Sequence, residues 1–131
     1  MTEARVLLVE DEVLNRELVR AILARTTDPV VRALALVEAP TLADARAALA
    51  EQDVDVVLLD LNLPDGHGLA LAAELAEVAH RPRVIALTAS VLPQERAAAV
   101  QAGCDGFLDK PYVAADLVRI LGQHLAARGG G

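Results

Sequence analysis

The sequence predicts an α/β fold in which a parallel sheet is covered by helices on both faces. Short apolar runs alternate with longer segments whose apolar residues recur at helical spacing, and this alternation occurs five times along the chain. Runs that are apolar throughout are typical of strands buried on both faces, as parallel strands are. Repeated β–α units place the strands in parallel and the helices on both sides of the sheet.

The predicted strands are five short runs rich in Val, Leu, Ile and Ala. A chain of 131 residues is about one domain long. We therefore expect a single domain over 1–131, with an ordered core from about 4 to 127 and a flexible tail over 128–131. The runs are RVLLV (5–9), ALALV (33–37), VDVVLL (54–59), RVIAL (83–87) and GFL (106–108).

Five helices are predicted between and after these strands. Four of them are marked by apolar residues three or four positions apart, which form one stripe along a helix. Thr41 is expected to cap the second helix, and Pro93 suits the first turn of the fourth, an alanine-rich helix over 93–102. Residues 25–33 fit no element, because Pro29 breaks the first helix and the second strand begins late. The stripes are Leu14, Leu18 and Ile22; Leu42, Ala45 and Leu49; Leu71, Leu75 and Val78; and Leu117, Ile120, Leu121 and Leu125.

The composition excludes several classes of function. The formal net charge of −7 disfavours nucleic acid as the partner, and an aromatic content of 2% leaves no stacking platform for single strands. No apolar run approaches the length of a membrane span, and the start of the chain lacks the pattern of a signal peptide. The one cysteine, Cys104, is expected to be a small buried side chain in a reducing compartment. We expect a cytoplasmic protein that binds neither membranes nor nucleic acid.

Polar residues follow four of the predicted strands at the point where each strand ends. Ligands of an open parallel sheet bind beyond the carboxyl ends of its strands, so these residues are expected to gather at one edge. Each has an ordinary interpretation when taken alone: an acidic turn, a helix cap or a solvated lysine. The expected gathering of all of them at one edge of the sheet favours a ligand-binding site. They are Glu10, Asp11 and Glu12 after the first run, Asp60 after the third, Thr88 and Ser90 after the fourth, and Asp109 and Lys110 after the fifth.

The chemistry of this set limits what it can bind. Neighbouring carboxylates repel one another unless a cation neutralises them, and oxygen ligands without His or Cys select Mg²⁺, or Mn²⁺, over zinc. Lys110 would supply a second positive charge for an anion, and the hydroxyl of Thr88 could donate to a phosphoryl oxygen. One aspartate would remain as the attacking carboxylate that forms an acyl phosphate.

The chain resembles the receiver domain of two-component response regulators, including the single-domain receivers of chemotaxis and cell-cycle control. Four segments carry the resemblance, in the family's order and approximate spacing: VLLVEDE, VVLLDLNLPDGHGL, VIALTAS and GCDGFLDKP. The resemblance covers nearly the whole chain. It implies a flavodoxin-like (βα)5 fold, with five parallel strands in the order 2-1-3-4-5.

The resemblance also implies a role for each residue at the edge. Asp60 would be the phosphoacceptor, which receives its phosphoryl group from the histidine of a sensor histidine kinase or a histidine phosphotransfer protein. Mg²⁺ would be bound by Asp11, Asp60 and the backbone carbonyl of Asn62, with Glu10 acting through water. Lys110 would hold a phosphoryl oxygen.

Phosphorylation is expected to switch the domain between two conformations. The added charge and acceptor oxygens would draw Thr88 and Lys110 inward, and Phe107 would then pack differently. By resemblance, the fourth helix, the fifth strand and the fifth helix form the output face. Because Phe107 lacks a hydroxyl, packing alone is expected to couple it to the switch. Asn62 and Ser90 are expected to tune the lifetime of the phosphoryl group.

Three other functions are weighed against this one. A small aspartyl-nucleophile phosphatase of the haloacid-dehalogenase type would carry a D-x-D motif after the first strand, whereas Asp60 follows the third and Asn62 replaces the second aspartate. A dinucleotide-binding or P-loop domain would carry a glycine-rich motif that this chain lacks. A phosphorylation-independent interaction module of this type usually lacks the acceptor or the lysine.

We therefore expect a phosphorylation-activated receiver. It would not be an enzyme, apart from catalysing its own phosphorylation and dephosphorylation. The sequence does not identify its downstream partner, and it leaves open a homodimer formed through the output face on activation.

Overall fold

The computed structural model describes residues 3–89 and 92–129, and its central feature is a five-stranded parallel sheet. The strands of this sheet are β1 (Arg5–Val9), β2 (Ala35–Ala39), β3 (Val56–Asp60), β6 (Arg83–Thr88) and β7 (Gly106–Asp109). Between β3 and β6, the short strands β4 (Asn62–Leu63) and β5 (Gly66–His67) form a separate antiparallel ribbon. The helices are α1 (Val13–Arg25), α2 (Pro29–Ala33), α3 (Leu42–Glu51), α4 (Gly68–Ala76), α5 (Pro93–Ala102) and α6 (Ala114–Gly129).

The order of the sheet is β2-β1-β3-β6-β7, and every neighbouring pair is parallel. Counted along the large sheet alone, this is the expected order 2-1-3-4-5, so the predicted fold class is confirmed. Helices α3, α4 and α5 pack on one face of the sheet, and α1, α2 and α6 pack on the other. Alternate residues of β1 face opposite sides of the sheet. Leu7 and Val9 pack in the layer of α3, α4 and α5, and Val6 and Leu8 pack in the layer of α1, α2 and α6.

The segment that fitted no predicted element contains a short additional helix, α2. Asp28 caps it, because Oδ1 of Asp28 accepts from the N–H groups of Val30 and Val31 at 3.0 Å each. Pro29 occupies the first turn, and the fully buried Val31 fixes the helix to the core. The second strand consequently begins at Ala35, two residues later than predicted.

The predicted apolar stripe of α1 is wrong in part. Leu14 and Leu18 keep 76% and 38% of their surface exposed, whereas the buried residues of the helix are Val19 and Ile22. Asn15 lies on the same face as these two, four and seven residues earlier, and bonds a buried carboxylate at the sheet edge. Packing of Val19 and Ile22 together with this polar contact sets the rotation of the helix.

Two predictions about helix starts are confirmed, and two predictions about chain segments near helix ends are not. The hydroxyl of Thr41 accepts from the N–H of Asp44 at 3.1 Å, which is the predicted cap of α3, and α5 begins at Pro93 and ends at Ala102 as predicted. Val78 lies beyond the end of α4 and is 47% exposed. The prediction that Val78 belongs to the apolar stripe of that helix is therefore wrong. The predicted tail overlaps α6, whose backbone is helical to Gly129, while residues 130–131 lie outside the described part. Within the described ranges, no helix combines the length and apolarity that crossing a bilayer requires.

Candidate functional site

The polar residues predicted at strand ends lie together at the carboxyl edge of the sheet. Glu10 directly follows β1, Asp60 is the last residue of β3, Thr88 ends β6 and Lys110 follows β7. The parallel register aligns these ends, because Val9 pairs with Leu59 and Asp60 pairs with Leu87. Lys110 is held at this level by its backbone N–H, which donates to the carbonyl oxygen of Thr88 at 3.0 Å.

Three carboxylates form an acidic cluster at this edge. Each of Glu10, Asp11 and Asp60 offers one oxygen, and these three oxygens lie within 4.8 Å of one another. Glu10 is fully buried and Asp60 is 5% exposed, whereas Asp11 is exposed to solvent. Three negative charges against the one ammonium of Lys110 leave an excess that a divalent cation would neutralise. The all-oxygen donor set fits a hard ion such as Mg²⁺.

Lys110 bridges the two buried members of the acidic cluster. Its Nζ lies 2.9 Å from Oδ2 of Asp60 and 2.9 Å from Oε1 of Glu10. Burial by itself would lower the pKa of Lys110, but the hydrogen bonds to Asp60 and Glu10 outweigh it and raise the pKa. The lysine therefore stays charged, and it can hold an anionic oxygen next to Asp60.

Asp60 and Glu10 differ in how readily they lose a proton. Burial and the hydrogen bond to Glu10 raise the pKa of Asp60, although the N–H of Asn62 and Lys110 act in the opposite direction. Burial also raises the pKa of Glu10, but hydrogen bonds with Asp60, Lys110 and Tyr112 outweigh it and lower the pKa. Any proton that the pair shares therefore resides on Asp60, and a bound cation would favour its release.

The segment after Asp60 approaches that residue closely. The N–H of Asn62 donates to Oδ1 of Asp60 at 3.0 Å, which fixes the orientation of the carboxylate. A Cβ atom at Gly68 would lie 2.4 Å from the carbonyl oxygen of Asp60, so only glycine allows α4 to begin here. Asp65, in the turn of the ribbon, accepts from the N–H groups of Leu42 and Ala43 at the start of α3. The segment between Asp60 and Gly68 is thus tied to α3 and α4.

Two neutral partners of Glu10 were not predicted from the sequence. The hydroxyl of Tyr112 donates to Oε1 of Glu10 at 3.0 Å, and the side-chain amide of Asn15 donates to the same oxygen at 3.0 Å. A signal for Tyr112 was available, since the only tyrosine of the chain follows Lys110 by two residues. Asn15 could have been found from its spacing to Val19 and Ile22 on α1.

Thr88 and Phe107, two of the predicted switch residues, lie on β6 and β7, which follow β3 in the order of the sheet. Thr88 is 7% exposed and pairs with Asp109 across β6 and β7. Phe107 pairs with Ala86 and is partly buried against the core layer of α3, α4 and α5. Besides this packing, Phe107 makes a cation–π contact, because the guanidinium of Arg96 lies over its ring. Ser90 lies outside the described residues.

Comparison with known proteins gives a consistent result. Residues 6–122 match the family model described as the response regulator receiver domain. The chain is 35% identical over 107 residues to the KDP operon transcriptional regulatory protein KdpE of Escherichia coli, a match that covers 82% of this chain and 44% of KdpE. It is 37% identical over 122 residues to the sensor histidine kinase AruS of Pseudomonas aeruginosa, covering 90% of this chain and 12% of AruS. The chain thus spans less than half of either relative.

A solved structure at similar identity has the same fold. The receiver domain of a sensor histidine kinase from Pseudomonas aeruginosa superimposes with a TM-score of 0.80 at 28% identity, covering 95% of this chain and 99% of that domain. That domain has a magnesium ion coordinated in its active site cleft.

Proposed function

This chain belongs to the family of response regulator receiver domains, and we propose that it is a phosphorylation-activated receiver with Asp60 as its phosphoacceptor. One observation carries the proposal. The Asp60 carboxylate ends a central strand, and the charged Lys110 contacts it at 2.9 Å beside two further carboxylates. This combination suits a group that must attack phosphorus while the transferred charge is neutralised around it.

The proposed reaction transfers a phosphoryl group from a histidine nitrogen to Asp60. An oxygen of the Asp60 carboxylate forms a bond to phosphorus while the P–N bond breaks, and the leaving imidazole takes up a proton. The N–H of Asn62 orients the carboxylate, and Lys110 holds a phosphoryl oxygen. Thr88, buried at the end of β6, donates its hydroxyl to another phosphoryl oxygen.

The proposed metal site uses the acidic cluster. Asp11, Asp60 and the backbone carbonyl of Asn62 would hold Mg²⁺ directly, with Glu10 acting through water. Mg²⁺ would supply positive charge to the phosphoryl oxygens. The closeness of the three carboxylate oxygens supports this assignment, and Mn²⁺ is the alternative ion because it accepts the same ligands.

The proposed output is a conformational change. When Thr88 and Lys110 turn to the phosphoryl group, Phe107 repacks, and the surface formed by α5, β7 and α6 changes its affinity for a protein partner. The proposed phosphodonor is a sensor histidine kinase or a histidine phosphotransfer protein. We further propose that the chain is one receiver domain and that it catalyses only its own phosphorylation and dephosphorylation. The cytoplasm is its proposed location, which the free buried thiol of Cys104 supports.

Intact-mass measurement after incubation with acetyl phosphate and Mg²⁺ tests the proposal. We expect one phosphoryl group per chain on the wild type and none on Asp60→Asn. Asp44→Asn, a change at an exposed residue in the first turn of α3, is the matched control and should be labelled like the wild type. Equal labelling of Asp60→Asn and the wild type would refute the proposal. Continuous turnover of a generic phosphate ester would instead indicate the phosphatase.

A further inference from the structure

We propose that Tyr112 and Asn15 are positioning residues that hold the Glu10 carboxylate in place for the divalent cation. The inference rests on the proposed function, since it concerns the proposed metal site. Neither residue belongs to the proposed metal ligands or to the residues that would contact the phosphoryl group.

Together with Lys110, the two residues use the whole hydrogen-bonding capacity of one oxygen of Glu10. Oε1 receives the ammonium of Lys110 at 2.9 Å, the hydroxyl of Tyr112 at 3.0 Å and the amide of Asn15 at 3.0 Å. A carboxylate oxygen has two lone pairs, so three donors leave Oε1 no further capacity. Glu10 is fully buried and Tyr112 is 8% exposed, so these contacts are shielded from water and hold the carboxylate in one orientation.

The other oxygen of Glu10 is the one left for the cation. Oε2 receives the N–H of Glu12 at the longer distance of 3.4 Å, and this contact leaves it capacity for a further donor. A water molecule bound to the cation is such a donor. Fixing Oε1 therefore leaves Oε2 as the oxygen of Glu10 that can bond the water shell of the cation.

Glu10 needs uncharged hydrogen-bond donors because Lys110 also has to contact the phosphoryl group. In the proposed reaction Lys110 turns to a phosphoryl oxygen, and its contact with Glu10 weakens at that point. Burying a carboxylate without hydrogen-bond donors has a large cost in free energy. Tyr112 and Asn15 do not take part in the transfer, so they keep Glu10 hydrogen-bonded and oriented while Lys110 moves.

The fold explains how residues so far apart in sequence meet at one oxygen. Tyr112 follows Lys110 by two residues, so the loop after β7 carries both donors to Glu10. Asn15 lies on the buried face of α1, and its position is set by the packing of that helix. The ring of Tyr112 also belongs to the core layer of α1, α2 and α6, so a purely structural role has to be distinguished from a positioning role.

Two conservative variants separate these roles. Tyr112→Phe keeps the ring in the core and removes the hydroxyl, and Asn15→Ala removes the amide. We expect each to weaken Mg²⁺ binding about tenfold, at the lower end of what is typical for residues that orient a metal ligand. Binding is followed by Mg²⁺ titration of the amide NMR signals of Asn62 and Gly68. Thr41→Val, which removes the cap of α3 on the opposite layer, is the control for general destabilisation and should bind Mg²⁺ like the wild type.

The wild type contains its own probe of the contact. Tyr112 is the only tyrosine and the chain has no tryptophan, so the intrinsic fluorescence reports the environment of this hydroxyl. We expect Mg²⁺ to change this fluorescence with the same midpoint as the NMR titration. A Tyr112→Phe variant that binds Mg²⁺ within twofold of the wild type would overturn the inference. A wild type that binds no Mg²⁺ would overturn the proposed metal site itself, and that failure appears before any variant is made.

Discussion

The guanidinium carbon of Arg96 lies 5.0 Å from the centroid of the Phe107 ring, so a cation from α5 covers the aromatic side chain of the proposed switch. The same guanidinium donates to Oδ1 of Asp109 at 2.5 Å. Asp109 pairs with Thr88 across β6 and β7 and directly precedes Lys110. Arg96 therefore connects α5 to β7, the strand that joins Phe107 to Lys110, which contacts the acidic cluster.

Removing this contact should favour the activated conformation. We expect Arg96→Gln to shift the proposed equilibrium toward it by about two- to fivefold, because a cation–π contact at a partly exposed site stabilises by about 0.5–1 kcal/mol. Amide NMR shifts of β7 in the unphosphorylated variant, placed between the free and beryllofluoride-bound wild type, measure the shift. Arg46→Gln breaks an exposed ion pair with Glu74 on other helices and is the matched control. If the amide NMR shifts of β7 in Arg96→Gln were the same as in the free wild type, the prediction would be contradicted.

Phosphorylation should depend on Asp11 through the cation. Asp11→Asn removes one carboxylate of the acidic cluster, so we expect a higher Mg²⁺ concentration for half-maximal labelling by acetyl phosphate. The shift should be about tenfold or more, and excess Mg²⁺ should restore part of the labelling. Labelling of the wild type that survives complete removal of Mg²⁺ by a chelator would contradict the role assigned to Asp11.

The start of α4 should not tolerate a side chain. Gly68→Ala would place a Cβ atom 2.4 Å from the carbonyl oxygen of Asp60, so either α4 or the end of β3 must move. We expect a loss of about 1–3 kcal/mol in the free energy of unfolding, together with slower labelling of Asp60. Urea unfolding and acetyl phosphate labelling measure the two effects.

Gly122→Ala is the matched control for this change. The nearest atom to its Cβ lies 3.8 Å away, on the side chain of Asp28, and the residue is inside α6. Alanine is the better helix former, so we expect it to be neutral or stabilising by up to about 1 kcal/mol. If both alanine variants had the same stability, the crowding assigned to Gly68 would be refuted.

Asp105 should make the fold sensitive to acid. Burial alone would raise the pKa of Asp105, but hydrogen bonds from Arg81 and the N–H of Val84, with the nearby charge of Arg83, hold the pKa below its usual range. Because the folded-state pKa is depressed, ionised Asp105 stabilises the fold at pH values above its unfolded-state pKa. That contribution is lost as the pH falls through the folded-state value.

Urea unfolding of the wild type and Asp105→Asn between about pH 7 and pH 3 measures this contribution. We expect the variant to be less stable at neutral pH and to lose less stability on acidification. Asp116→Asn, which breaks an exposed pair with Arg119 within α6, should behave like the wild type. Parallel stability curves for the wild type and Asp105→Asn would show that Asp105 does not contribute.

Several features of the fold could be predicted from local patterns. Apolar runs located the five sheet strands, although the ends of four of them shifted by one or two residues. The cap at Thr41 and the first turn at Pro93 follow from the preferences of those residue types at helix starts. The additional helix α2 was missed because its five residues are too short for a periodic pattern, and its stability comes from Asp28 and the burial of Val31.

The rotation of α1 shows where a local pattern misleads. Leu14, Leu18 and Ile22 form a regular stripe, yet the neighbouring face with Val19 is the one that packs on the sheet. Two apolar stripes on one helix are equivalent in sequence, and only contact with the rest of the core distinguishes them.

The sequence by itself determined the alternation of strands and helices and the placement of Asp60, Thr88 and Lys110 at strand ends, because periodicity and turn residues act over a few positions. The tertiary structure decided which donors meet Glu10. Tyr112 is 102 residues away from it, and their hydrogen bond depends on the alignment of the parallel strands β1, β3, β6 and β7. Asn15 reaches the same oxygen through the rotation of α1. Arg96 and Phe107 likewise meet only after α5 has packed beside β7. Such contacts result from the burial of many apolar side chains together, and no single stretch of the sequence contains them.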